Sequence, residues 1–163
     1  MAADLLLKAP MEYEPLKKNR FLVRFPSDLG IQEWWVQSVG RPHLTQNATE
    51  IPFLNTSAWT LGRYVWDTIS LTIRDFIGPS SSQACMEWVR LHSESASGRQ
   101  GYAAAYKRDL LIEILDPTGV AVSQWLIKNA FITEINFGDM QYDDDGLATI
   151  DLTLRPDYCI LSY

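Results

Sequence analysis

The stretch Asp109–Tyr158, DLLIEILDPTGVAVSQWLIKNAFITEINFGDMQYDDDGLATIDLTLRPDY, decides the fold. Leu110, Ile112 and Ile114 alternate with Leu111, Glu113 and Leu115. Ala148, Ile150, Leu152 and Leu154 alternate in the same way with Thr149, Asp151, Thr153 and Arg155. A period of two sends successive side chains to opposite faces, so both runs read as half-buried strands. Asp116-Pro117-Thr118-Gly119 between strands is a turn, because proline fixes φ and glycine accepts φ > 0. The run from Trp125 to Phe131 is a further strand, and the Asp-rich segment Asp143-Asp144-Asp145-Gly146 turns the chain into the last one.

The pattern extends toward the N-terminus. Phe21, Val23 and Phe25 alternate with Arg20, Leu22 and Arg24, which predicts a strand over 20–25. Pro26 to Gly30 turns the chain, and 32–39 reads as a second strand with Trp34 and Val36 on one face and Trp35 and Gln37 on the other. Ile69, Leu71 and Ile73 alternate with Thr68, Ser70, Thr72 and Arg74 in a clear strand. Residues 41–66 are less regular; Pro42, Pro52 and Gly62 suggest a long protruding hairpin or loop. One helix stands out over about 81–96. Ser80 to Ser82 offer N-caps, and Ala84, Cys85, Trp88, Val89 and His92 form one stripe, with Gly98 as the stop and a Gly/Ala/Ser loop over 97–104.

The expected fold is therefore mainly β: two packed antiparallel sheets (a β-sandwich or small barrel), about seven strands, one flanking α-helix and a long protruding arm. Residues 1–18, broken by Pro10 and Pro15, read as an N-terminal arm, and 19–163 as one domain. The length of 163 residues, 47% apolar and 21% charged, suits one globular domain with its own core. No run of 18 apolar residues suggests a membrane span, and Leu5-Leu6-Leu7 is too short for a signal peptide. Cys85 and Cys159 sit in unlike contexts and read as free thiols of a reducing compartment. The net charge of −6 argues against a protein that grips nucleic-acid phosphates.

Catalytic chemistry has no footing here. His43 and His92 are the only histidines and lack partners at zinc-ligand spacing. Ser80-Ser81-Ser82 is not a G-x-S-x-G elbow, and neither a P-loop nor a dinucleotide fingerprint occurs. Asp143-Asp144-Asp145-Gly146 lacks the spacing and closing Glu of a calcium loop and reads as a solvated turn. No catalytic, cofactor or metal residue is therefore assigned. Six tryptophans are many, and a carbohydrate- or peptide-binding β-sandwich using exposed Trp is the alternative of another class. Trp88 and Trp125 fall on inward faces, which favours core and interface roles.

The ordered set of these pieces resembles the tail tube proteins of contractile-tailed bacteriophages, whose fold is shared with the type VI secretion tube. Asn19-Arg20-Phe21-Leu22-Val23 is similar to that family's opening strand. Tyr64 to Ile73 is similar to the strand entering its helix, as are Met86-Glu87-Trp88 and Ala105-Tyr106-Lys107-Arg108 to pieces that follow, and the DPTG turn with Trp125-Leu126 and Asn129-Ala130-Phe131 to its C-terminal pattern. The resemblance spans about 16–158; residues 1–18 carry no signature and 40–60 match only in being long.

The resemblance implies hexameric rings stacked into a hollow tube that conducts double-stranded DNA at ejection, with no specific DNA binding. A baseplate tube initiator, a tailocin tube or a type VI secretion tube are the variants. Implied partners are further copies of the chain, the sheath protein, baseplate tube and tail terminator proteins and a tape measure protein; the implied location is the virion, after synthesis in the host cytoplasm. The arm, with Ile51, Phe53, Leu54, Trp59 and Trp66, is expected to make ring-to-ring contacts. The loop with Gly98, Gly101 and Tyr102 is expected to contact a neighbour within the ring. Glu134 and Asp151, opposite or at the edge of the apolar sets of their strands, are expected to face the lumen.

Overall fold

The computed structural model describes residues 14–163. In chain order the strands are β1 (Phe21–Arg24), β2 (Val36–Val39), β3 (Leu44–Phe53), β4 (Thr56–Trp66) and β5 (Ile69–Arg74). Helices α1 (Ser81–His92) and α2 (Ala103–Tyr106) follow, and then β6 (Arg108–Leu115), β7 (Ala121–Asn136), β8 (Thr149–Arg155) and β9 (Tyr158–Ser162). Seven strands form one antiparallel sheet in the order β1-β6-β7-β8-β5-β2, with β9 also paired to β7. Among the described residues the remaining two, β3 and β4, pair only with each other.

The long strand β7 makes this sheet two-layered. Its first part pairs with β6 and β9, whereas Phe131 to Asn136 pair with β8. The corner lies at Asn129, where the register against β6 slips between Arg108↔Ala130 and Leu110↔Ile127. Asn129 has φ 54°, a left-handed conformation that Asn tolerates better than most residues. Bulges of this kind bend a strand and re-aim its continuation. The Asp109 carboxylate pins the bend: it accepts the Asn129 amide at 3.0 Å and the Lys128 ammonium at 2.6 Å. Both contacts hold the Asp109 carboxyl below its ordinary value.

Inward side chains from both halves meet in a single core. Val23, Ile112 and Ile127 come from one half, and Leu71, Ile73, Ile150 and Leu152 come from the other. Each such side chain contributes roughly 1.5–3 kcal/mol on burial. Helix α1 covers this core with Cys85 and Trp88, the expected stripe, and the Trp88 indole N–H donates to the Tyr106 carbonyl at 2.9 Å. The Ser80 hydroxyl caps α1 by accepting the Gln83 amide.

The mainly β class, the two antiparallel layers and the flanking helix stand as expected, and several boundaries differ. The segment 32–39 is half strand: Glu33–Trp35 is a 3-10 turn, and only Val36–Val39 is β. That turn breaks the alternation, so Trp35 is fully buried while Trp34 stays out, packed on Phe76. Helix α1 ends at His92, not 96, because Ser93 bridges to Gln100 and the chain reverses. Gly98 therefore sits within the following loop, and that loop ends in α2. The C-terminal segment after Pro156 is strand β9, with Cys159 buried, and the strands among the described residues number nine. Of the N-terminal arm, residues 1–13 lie outside the described residues.

Candidate assembly surfaces

The segment 41–66 is a hairpin more regular than its prolines and glycines suggest. Leu44 to Phe53 and Thr56 to Trp66 pair along their length around Leu54 and Asn55, with Leu54 at φ 49°. Pro52 is tolerated because each strand of a two-stranded ribbon is an edge, so no ladder donor need be lost. Gly62 lies where the register slips between Gln46↔Tyr64 and Ala48↔Leu61. A Cβ there would approach the Asn47 carbonyl oxygen at 3.0 Å, so the glycine lets the two backbones stay close. At about 3.3 Å per residue the ribbon is roughly 30 Å long.

The root of the arm is fixed and its shaft is bare. His43 Nδ1 lies 2.5 Å from Asp67 Oδ2, which also accepts the Thr45 hydroxyl at 2.8 Å. The Thr45 hydroxyl first, and His43 with it, hold the Asp67 carboxyl below its ordinary value. Trp66 is half-buried against Trp125, edge to face at 6.3 Å. Beyond it nearly every residue is exposed, and the register sorts the apolar ones onto two faces. One face carries Leu44, Leu61, Tyr64 and Trp59, the last 66% exposed. The other carries Val65, Ile51 and Phe53, the last 70% exposed. Leu54 is 90% exposed at the tip. The five residues named from the sequence are thus divided: Trp59 shares a face with Trp66, Ile51 and Phe53 take the opposite face, and Leu54 caps the end. Leu61, Tyr64 and Val65 join them only through the register, because the slip at Gly62 reverses the alternation between Leu61 and Val65.

Glu134 and Asp151 come together on one face. The pairs Asn136↔Asp151 and Glu134↔Thr153 put both carboxylates on the outer side of the half-sheet β7-β8-β5-β2. Glu134 reaches that side although Ile132, two residues earlier, is buried. The reason is a register slip between Ile132 and Glu134, which leaves Thr133 as an extra residue and reverses the parity. Asp151 accepts the Thr72 hydroxyl at 2.7 Å. The same face carries Ser70, Thr149 and Arg74, and Arg155 opposite Phe131, so its two acids are matched by two arginines. The free side of β2 and that of β7 over 131–136 have no strand partner among the described residues.

The loop after α1 is tightly built. Gly98 has φ 67° and its amide donates to the Glu94 carbonyl. Gly101 donates to the His92 carbonyl, and a Cβ at this position would stand 2.0 Å from the Leu91 carbonyl oxygen. Only glycine fits that approach. Tyr102 next to it is 90% exposed. Gly98 and Gly101 thus serve the loop's own geometry, and Tyr102 is the side chain it displays.

Glu113 is buried on the outer side of β6, bonded to Arg24 at 2.8 Å and to Gln124 at 3.1 Å. Burial pushes the Cys85 thiol up to about 12 and the Cys159 thiol to about 11. Among the described residues no three His, Cys, Asp or Glu side chains converge to hold a metal ion, and no helix is long and apolar enough to cross a membrane.

No protein-family model matches the chain, and no curated protein matches it in sequence. Solved structures do match in fold. The PVC sheath/tube terminator in extended state, of an extracellular contractile injection system, superposes with a TM-score of 0.74 at 19% identity, over 93% of this chain and 99% of that one. The PVC sheath–tube complex in extended state matches with a TM-score of 0.72 at 19% identity, over 96% of each chain. Hcp1 from Flavobacterium johnsoniae matches with a TM-score of 0.54 at 8% identity, over 87% of this chain and 94% of that one. The chain has the tail-tube type of fold, the one its sequence resembles.

Proposed function

We propose that the chain is a structural protein, not an enzyme, that associates with itself into rings stacked as the hollow inner tube of a contractile apparatus. The arm carries this reading. A lone two-stranded ribbon is marginal in water, and this one displays apolar side chains on both faces. Burial against neighbouring copies would offset that exposure, with Trp59, Leu54, Ile51 and Phe53 as ring-to-ring anchors above the Trp66 root. The half-sheet β7-β8-β5-β2 has two free edges, which side-by-side copies would pair, so a closed wall has no open strand. Its small polar outer face would line the lumen, with Glu134 and Asp151 offsetting Arg74 and Arg155. Such a wall offers no excess of cations to hold phosphates, so in a phage tail DNA would pass without being gripped. Gly98, Gly101 and Tyr102 would stand at the contact within the ring. The sheath protein, baseplate tube and terminator proteins and a tape measure protein follow as partners, with the assembled tail of the virion as the location.

A second reading is a ring that ends such a tube, favoured by the likeness to the PVC sheath/tube terminator over nearly the whole chain. Replacing 46–60 by a short Gly-containing turn separates the alternatives. The shortened chain should fold and no longer elongate, while the full chain forms rods. A full chain that closes into rings but never elongates selects the terminator. Long tubes from the shortened chain would overturn the arm's role, and a full chain that forms neither rings nor rods would overturn the tube.

A further inference from the structure

A second pair of surfaces matches in chemistry. A cavity of about 440 Å³ opens between β1 and β2, the two end strands of the sheet. Its floor is apolar, made by Phe21, Val39, Ile112 and Ile114. Its rim is basic: Lys17, Lys18, Arg20 and Arg41. Only Arg20 has a carboxylate partner among the described residues, Glu14 at 3.3 Å. Elsewhere, the connection from β7 to β8 carries Asp139, Asp143, Asp144 and Asp145, none in an ion pair among the described residues. Between and beside these acids stand Met140, Tyr142 and Leu147, all well exposed.

We infer that the 137–147 loop of one copy seats in the β1/β2 cleft of the next, its aspartates on the basic rim and its apolar side chains on the floor. Both halves of the match, charge and apolar surface, are needed: exposed ion pairs alone contribute little, and opposite potentials mainly steer and orient the encounter. The two patches differ and lie at different places on the fold, one at the β7–β8 end and one between β1 and β2. The contact is therefore head-to-tail; each copy offers one loop and one cleft, so it repeats. This deepens the tube reading and rests on its self-association, but it does not involve the arm.

Charge exchange tests it. One variant carries Lys17→Glu, Lys18→Glu and Arg41→Glu; the other carries Asp139→Lys, Asp143→Lys and Asp145→Lys. All six side chains are exposed, so both variants should melt within a few degrees of the parent. In sedimentation velocity each variant alone should stay at subunit mass, since rim and loop then repel. An equal mixture should regain the parent's polymer, as should one chain carrying all six changes. Assembly of either variant alone at the parent's concentration would overturn the contact, and so would a folded mixture and six-fold chain that stay as subunits. If the parent itself never leaves subunit mass, the tube reading fails and the contact is judged on a peptide of residues 137–147. Binding to the parent with at least tenfold weaker binding to the rim variant then upholds the contact; equal or absent binding refutes it.

Discussion

Trp59→Ala should leave the subunit intact and cripple its polymer. The side chain is 66% exposed in the subunit, midway along a ribbon whose two strands find no further strand partner among the described residues. Its removal should shift the melting free energy by no more than about 0.5 kcal/mol, as at other exposed sites. In the polymer the same side chain would lose its remaining exposure. Two thirds of a tryptophan's ~250 Å² is about 165 Å². At ~25 cal/mol per Å² that is about 4 kcal/mol as an upper bound. Ordering the side chain costs about 1 kcal/mol, and the alanine keeps part of the contact, so the net loss is about 2 kcal/mol, in the range of an interface anchor. A loss of about 2 kcal/mol is roughly a thirty-fold weaker contact. The assay is the concentration at which polymer first pellets, which should rise about thirty-fold, beside a denaturant melt that should not move. An unchanged pelleting threshold would refute the interface role, and a melt lowered by about 2 kcal/mol or more would mean that Trp59 stabilises the subunit itself.

Three further outcomes follow from the geometry. Gly101→Ala should unseat the loop after α1, because the added carbon meets the Leu91 carbonyl oxygen at 2.0 Å; faster amide exchange over 93–102 is the readout, and parent-like protection contradicts it. Acid should weaken the fold in two stages. Burial holds the His92 imidazole below its ordinary value, so its neutral form belongs to the fold and stability declines as pH falls below about 6.5. Lys128 beside Asp109 and Lys107 beside Asp157 hold both carboxyls below 3.8, so their contribution is full above that pH and is lost as pH falls through the lower folded values. A melting temperature that stays flat from pH 7 to pH 2 would contradict this. Neither thiol should react with a maleimide at pH 8 before unfolding, given values of about 12 for Cys85 and about 11 for Cys159; rapid labelling of the native chain would show that the sites open.

The core was legible wherever one face is buried along a whole strand. Ile69, Leu71 and Ile73, like Ile150, Leu152 and Leu154, alternate because their strands lie flat on the core. The arm was legible as a protrusion but not as a ribbon, since Pro52 and Gly62 are breakers in a central strand and harmless in a two-edged one. Its division into two faces needs the register, which no local pattern specifies when both faces are exposed. The same holds for Glu134, whose side is set by one extra residue at Thr133. The turn at Glu33–Trp35 hid because adjacent tryptophans alternate on paper as well as in a strand. Strand β9 hid because Pro156 and Asp157 interrupt what would otherwise continue β8 along β7.

Electron microscopy of the purified chain across a concentration series decides whether it builds a tube. Rings in end view and hollow rods with a regular axial repeat should appear above a threshold concentration. A chain that remains a single subunit at every concentration, or that forms only solid or irregular aggregates, would contradict it.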